Sequence, residues 1–103
     1  MRSAYQALTK RPTDYDLSES AFNALGYKFL RAGRFSDAIA VFEWAVQLFS
    51  RLPNTHDSLG EAYRKAGQLN EAIRSYSLAL ALDPASKSAK QALEELQLTS
   101  NPN

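Results

Sequence analysis

The sequence repeats itself at an offset of 34 residues. Leu25-Gly26 returns as Leu59-Gly60, and small residues and rings further along the chain follow the same offset. The other matched pairs are Ala32-Gly33 with Ala66-Gly67, Ala38-Ile39 with Ala72-Ile73, Ala45 with Ala79, Leu48 with Leu82, Phe29 with Tyr63, and Phe42 with Tyr76. A period of about 34 residues is typical of helix–turn–helix units stacked into a solenoid. Because such units bury their apolar faces against each other and leave a grooved surface, the repeat favours binding over catalysis.

The amino-acid composition argues against several classes of binding partner. The 103 residues suffice for one domain, and a net charge of +1 with 22% charged residues gives no strong field for nucleic acid or an anionic membrane. The chain has no cysteine and no apolar run long enough for a signal peptide or a membrane span. We therefore expect no cofactor, no metal, no nucleic acid and no membrane partner. If Met1 is the natural start of the protein, we expect the protein to be cytoplasmic. If the sequence is part of a longer protein, it does not predict the location.

Capping signals predict five helices between residues 17 and 98. Asp16 with Glu19 resembles a capping box that opens a helix over 17–32, which stops at Gly33. Ser36 and Asn70, again 34 apart, are predicted to cap the second and fourth helices. The predicted organisation is an N-terminal segment with a short helix (1–16), a first unit (17–52), a second unit opened by Pro53-Asn54-Thr55 (53–86), a helix started by Ser86 (87–98) and a disordered tail (99–103).

The N-terminal segment carries a weaker pattern. Residues 3–11 are predicted to form a short helix with Tyr5 and Leu8 on one face, and Pro12-Thr13-Asp14 breaks it. Tyr15 is expected to pack under the first unit, just before the cap.

The spaced residues resemble tetratricopeptide repeats, a family with a solenoid of paired helices. The first unit supplies Phe22, Leu25-Gly26, Phe29, Gly33, Ala38, Phe42 and Ala45, and the second supplies Leu59-Gly60, Tyr63, Gly67, Ala72, Tyr76, Ala79 and Pro84. The resemblance covers residues 19–86. His56 departs from it, since it stands where the family has a large aromatic, and Ser50 stands where Pro84 falls in the second unit. The fold class predicted is all-α: two units plus a C-terminal capping helix.

The resemblance implies that the first helix of each pair lines a concave groove. Polar residues at helical spacing on those helices are the candidate partner-binding residues: Asn23, Tyr27, Arg31, Asp57, Glu61, Arg64, Lys65, Gln91 and Glu95. A protein or peptide partner is expected there. The alternative, that this face is merely solvated, stays open.

Charge argues against the family's best-known ligand, the C-terminal carboxylate of heat-shock chaperones. Asn23 fits the clamp that holds this carboxylate, but Asp57 and Glu61 place negative charge where the carboxylate would lie. Like charges brought together out of water are costly. A segment with a basic or mixed-charge side suits the groove better.

A second surface is formed by Trp44 and Leu78, which are 34 residues apart on the outer helices. Two readings stay open. Either the N-terminal segment covers Trp44, or the pair forms a self-association face that would make the chain a homodimer.

No catalytic motif is present in the sequence. The glycines are single corner or packing residues, His56 is the only histidine, and the carboxylates stand singly. The alternative to a free-standing interaction module is an accessory module of an enzyme. The stretches 14–19, 25–27 and 54–60 resemble runs in the tandem-repeat tails of some bacterial serine hydrolases.

Overall fold

The computed structural model describes residues 18–100, with side chains described for residues 18–97. Within that range the chain folds into five α-helices and no strand, which confirms the all-α prediction. The helices are α1 (Glu19–Arg31), α2 (Phe35–Leu48), α3 (Pro53–Lys65), α4 (Leu69–Leu82) and α5 (Lys87–Ser100). Each packs on the next, and α1 also contacts α3.

Both helix pairs turn at a glycine in the left-handed region. Gly33 has φ +76° and Gly67 has φ +81°, and neither would meet a neighbour if it carried a Cβ. Backbone conformation is therefore what requires glycine at these two positions. The N–H of Arg34 reaches the carbonyl of Phe29 at 2.9 Å, and the same bond recurs one repeat later, which makes each corner a Schellman turn.

The predicted caps of the two outer helices were wrong. The residues before α2 and α4 are Arg34 and Gln68, and neither side chain caps its helix. After each Schellman turn, a single residue separates the glycine from the start of the next helix. Ser36 and Asn70 therefore lie inside the first helical turn, exposed, rather than ahead of it.

The two ends of the helical stack also differ from expectation. α1 begins at Glu19 because Ser18 is extended and its Oγ accepts the N–H of Ala21 at 3.2 Å, so the predicted Asp16 cap was wrong. Asp16 itself and the whole segment before Ser18 lie outside the described residues. α5 runs to Ser100 instead of residue 98, so the prediction of a disordered tail was wrong at residues 99 and 100, and residues 101–103 lie outside the described range.

The core is built from rings that fill the space above small residues. Leu30, Ala38, Ile39, Phe42, Leu59 and Ala62 form one buried cluster, and Ala72, Tyr76, Ala79, Ala89, Ala92 and Leu96 form the next. His56 is buried, and its Nε2 lies 2.7 Å from the carbonyl oxygen of Ser50. This contact gives His56, one of the two departures from the repeat pattern, a packing role.

Candidate partner-binding groove

Polar side chains connect the three inner helices α1, α3 and α5 along one face. Ser58 Oγ donates to Asn23 Oδ1 at 2.8 Å, and Tyr27 Oη donates to Glu61 Oε1 at 2.8 Å. The Tyr27 ring packs edge-on against Phe42, with centroids 5.3 Å apart. Burial, followed by the nearby Glu61, raises the pKa of Tyr27 above its ordinary value. Asn23 and Tyr27 thus join α1 to α3.

A polar cavity of about 500 Å³ lies between α3 and α5. Six of the nine predicted groove residues line it: Asp57, Glu61, Arg64, Lys65, Gln91 and Glu95. Asn23, Tyr27 and Arg31, all on α1, do not line this cavity, and Arg31 is exposed. The structure therefore brings together the predicted residues of the second unit and of α5.

One wall of the cavity is an ion pair between α3 and α5. Arg64 donates from Nη2 to Glu95 Oε1 at 2.9 Å, and Gln91 donates to the other oxygen of the same carboxylate at 3.2 Å. These hydrogen bonds hold the pKa of Glu95 below its usual range. The arginine charge is therefore already engaged within the protein.

The cavity also contains one carboxylate that is poorly satisfied, that of Asp57. Asp57 accepts from Ser88 Oγ at 3.2 Å through Oδ2 only, and among the described residues Oδ1 is buried without a hydrogen-bond partner. Burial, with a smaller contribution from Glu61, raises the pKa of Asp57. A buried acceptor without a donor costs about 1–3 kcal/mol. The Asp57 carboxylate is thus the group in the cavity that most favours an added donor.

Sequence reasoning missed three residues that line the cavity, Tyr76, Ser88 and Ala92. Tyr76 is one of the rings of the repeat pattern, and it packs against Gly60. Burial and the charges of Asp57 and Glu61 raise the pKa of Tyr76 to about 12, so its hydroxyl stays protonated. A search for polar pairs 31–35 residues apart would have found Ser88, because Asp57–Ser88, Tyr27–Glu61 and Asn23–Ser58 all have this spacing.

Asp57→Asn is expected to raise the melting temperature at pH 7 by a few degrees. The raised pKa means that the folded state binds the Asp57 proton more tightly than the unfolded state, so stability is lost as pH rises through that pKa. The gain from asparagine should shrink as pH falls, because the aspartate then takes up a proton and loses its charge. Thermal melts at pH 7 and pH 4 test this, with Glu94→Gln on the exposed side of α5 as a control. A lower melting temperature for Asp57→Asn at pH 7 would contradict it.

The outer residues Trp44 and Leu78 have different surroundings in the structure. Trp44 is 37% exposed and packs edge-on against Phe22 at 5.4 Å. Leu78 is 52% exposed and lines a separate shallow cavity of about 380 Å³ with Ile73, Arg74 and Ser77. Whether either residue mediates self-association stays a prediction.

Within residues 18–100, no group of three or more histidine or acidic side chains is placed to hold a metal ion. In the same range, no helix is both long enough and apolar enough to cross a bilayer.

Two family models, both described as tetratricopeptide repeat, match this chain at residues 2–53 and 53–86. A curated relative is the chloroplastic tetratricopeptide repeat domain-containing protein PYG7 of Arabidopsis thaliana, 33% identical over 84 residues. The alignment covers 82% of this chain but only 28% of the plant protein. The chain thus spans under a third of that relative.

Solved structures share the fold. The first TPR domain of human RPAP3 has a TM-score of 0.77 at 22% identity, covering 97% of this chain and 80% of that one. The first TPR of Spaghetti bound to the HSP90 peptide SRMEEVD has a TM-score of 0.77 at 20% identity, covering 92% and 75%. A Naa15/Naa10 complex bound to HypK-THB has a TM-score of 0.76 at 24% identity, covering 96% of this chain and 14% of that one.

Proposed function

Because the chain belongs to the tetratricopeptide repeat family, we propose that it is a non-catalytic interaction module that binds a peptide or partner segment between α3 and α5. The supporting observation is the cavity between these helices, which six of the predicted groove residues line. Two of the similar structures are complexes, one with an HSP90 peptide and one with HypK. Peptide or protein binding is therefore a use that this fold allows.

The charges of the groove favour a segment with a basic side chain. Arg64 is engaged by Glu95, while Asp57 keeps one buried oxygen without a partner. A lysine or arginine side chain supplies a charged donor to such an oxygen, and charge-assisted hydrogen bonds are about twice as strong as neutral ones. An acidic C-terminus would place a carboxylate beside Asp57 and Glu61, where like charges repel. The preferred partner is thus basic or of mixed charge.

Asp57→Asn is expected to weaken binding of a basic peptide by about tenfold, the scale of one buried charge-assisted hydrogen bond. Fluorescence anisotropy with arginine- and lysine-bearing peptide pools measures this, and SRMEEVD serves as the acidic probe. Glu94→Gln is the matched control, since it removes one negative charge from an exposed position outside the cavity. Tight binding of SRMEEVD with no binding of basic peptides would overturn the proposal.

The alternative is that the chain is an accessory module of an enzyme. The exposed apolar side chains of Trp44 and Leu78 on the outer helices favour it. In that case the chain would be the C-terminal part of a bacterial hydrolase and would self-associate through this surface. Mass in solution separates the two proposals. A dimer that Trp44→Ala dissociates would support self-association, whereas a monomer would leave the groove as the functional surface. Cytoplasmic location stays a prediction that imaging of the full-length protein would test.

A further inference from the structure

Opposite charges lie at different points along the groove between α3 and α5. Asp57 stands in the first half of α3, Lys65 is the last residue of that helix, and both line the cavity of about 500 Å³. Their separation of eight positions corresponds to about 12 Å along the helix axis, at about 1.5 Å per residue. The groove is therefore negative toward the start of α3 and positive toward its end.

The charged side chains between these two residues are engaged within the protein. Arg64 Nη2 donates to Glu95 Oε1 at 2.9 Å, and Glu61 Oε1 accepts from the Tyr27 hydroxyl at 2.8 Å. Lys65, by contrast, is exposed and forms no ion pair with any side chain in the described part of the chain. Lys65 is therefore the cation of the cavity that is more available to a ligand.

The negative end of the groove continues beyond Asp57, toward the connection between α4 and α5. A second cavity, of about 230 Å³, shares Asp57 and Ser88 with the first. It is also lined by Pro53, at the start of α3, and by the exposed Asp83. Two carboxylates thus line the end of the groove that is remote from Lys65.

Building on the proposed binding of a basic segment, we propose that the ligand also carries an acidic side chain, about four residues from the basic one in an extended segment. The basic side chain contacts Asp57, and the acidic side chain contacts Lys65. Residues of an extended segment rise about 3.3 Å each, so four residues span about 13 Å, close to the separation along α3. Side chains four residues apart also lie on the same face of such a segment.

An extended ligand fits this charge pattern better than a short helical one. Isolated helices of fewer than about 12 residues are marginal in water, so a short helical segment would have to be ordered on binding. In a helix, moreover, residues four apart are separated by only about 6 Å along the axis, about half of the separation between Asp57 and Lys65. The spacing of the two charges in the ligand is therefore a specific property that peptides can test.

Two matched peptides test the second contact by fluorescence anisotropy. One carries arginine and glutamate four residues apart in an otherwise uncharged sequence, and the other has glutamine in place of the glutamate. Both are made with the two positions in either order, and the order that binds more tightly is used. At low salt the glutamate peptide should bind about two- to fivefold more tightly, the scale of a partly exposed ion pair. This advantage should disappear in Lys65→Gln and persist in Lys90→Gln, since Lys90 is exposed and lines neither cavity.

A peptide with arginine and glutamate adjacent controls for spacing, because neighbouring side chains of an extended segment point to opposite faces. It should lack the advantage of the four-residue spacing. An equal advantage in Lys65→Gln and wild type would overturn the proposed contact with Lys65. Binding of the glutamine peptide that Asp57→Asn weakens, with no gain from glutamate, would overturn this contact and leave the proposed function standing. If neither peptide binds, the proposed function fails and the contact with Lys65 fails with it.

Discussion

Phe42→Ala is expected to lower the free energy of unfolding by about 3–5 kcal/mol, the usual cost of removing a buried phenylalanine. The Phe42 side chain is only 1% exposed and belongs to the cluster that joins α2 to α3. Its ring also supports Tyr27 edge-on, so the cavity left behind would reach the polar link between α1 and α3.

Urea denaturation followed by far-ultraviolet circular dichroism measures this loss. Leu78→Ala is a suitable comparison, because its side chain is 52% exposed and surface changes usually stay within about 0.5 kcal/mol. A loss below about 1 kcal/mol for Phe42→Ala would mean that the interface between the two units is not the main source of stability.

Gly26→Ala is expected to destabilise the protein more than Gly60→Ala does, although the two glycines are equivalent in the repeat. A Cβ at residue 26 would overlap the Phe42 ring, whereas a Cβ at residue 60 would lie 3.0 Å from the Tyr76 ring. Overpacking costs about 1–3 kcal/mol. The higher helix propensity of alanine compared with glycine offsets about 1 kcal/mol of this cost. We therefore expect a net loss of about 1–2 kcal/mol at residue 26 and less than about 1 kcal/mol at residue 60.

A double-mutant cycle identifies the cause of the loss at Gly26. In a Phe42→Leu background the ring atoms that the new Cβ would meet are gone, so Gly26→Ala should cost less than it does in the wild type. Equal costs in both backgrounds would show that the ring is not what excludes a side chain at this position.

The sequence pattern predicted the helix pairs because each pair repeats the same local requirements. Small residues recur where rings pack, as at Gly26 and Gly60, and glycine recurs at the corners, where φ is positive. The predicted caps failed at Ser36 and Asn70, since residue type alone does not show that a Schellman turn leads directly into the next helix. After such a turn, the next helix begins without a hydrogen bond from a capping side chain.

The candidate groove was predicted in part. Helical spacing identified Asp57, Glu61 and Arg64, and the structure gathers these around one cavity. Spacing along a single helix could not show that Arg64 reaches Glu95, since that contact depends on how successive inner helices are stacked. Nor could it show that Tyr27 is tied to Glu61, because both residues look equally free when each helix is considered alone.

The exposure of equivalent side chains was the other quantity that the repeat could not predict. Leu25 and Leu59 are identical in type and in repeat position, yet one is exposed and the other is buried. The difference depends on the neighbour that packs against each helix. Periodicity therefore predicts which face is apolar, and the position in the stack determines whether that face is covered.

The most direct test of peptide binding in the groove is a chemical-shift map of the ¹⁵N-labelled chain titrated with an arginine-bearing peptide. We expect the largest shifts at Asp57, Glu61 and Gln91. These shifts should weaken in Asp57→Asn and stay unchanged in Glu94→Gln. Shifts centred on Ser77 and Leu78 at the outer cavity, or shifts in the groove with SRMEEVD and none with the basic peptide, would contradict it.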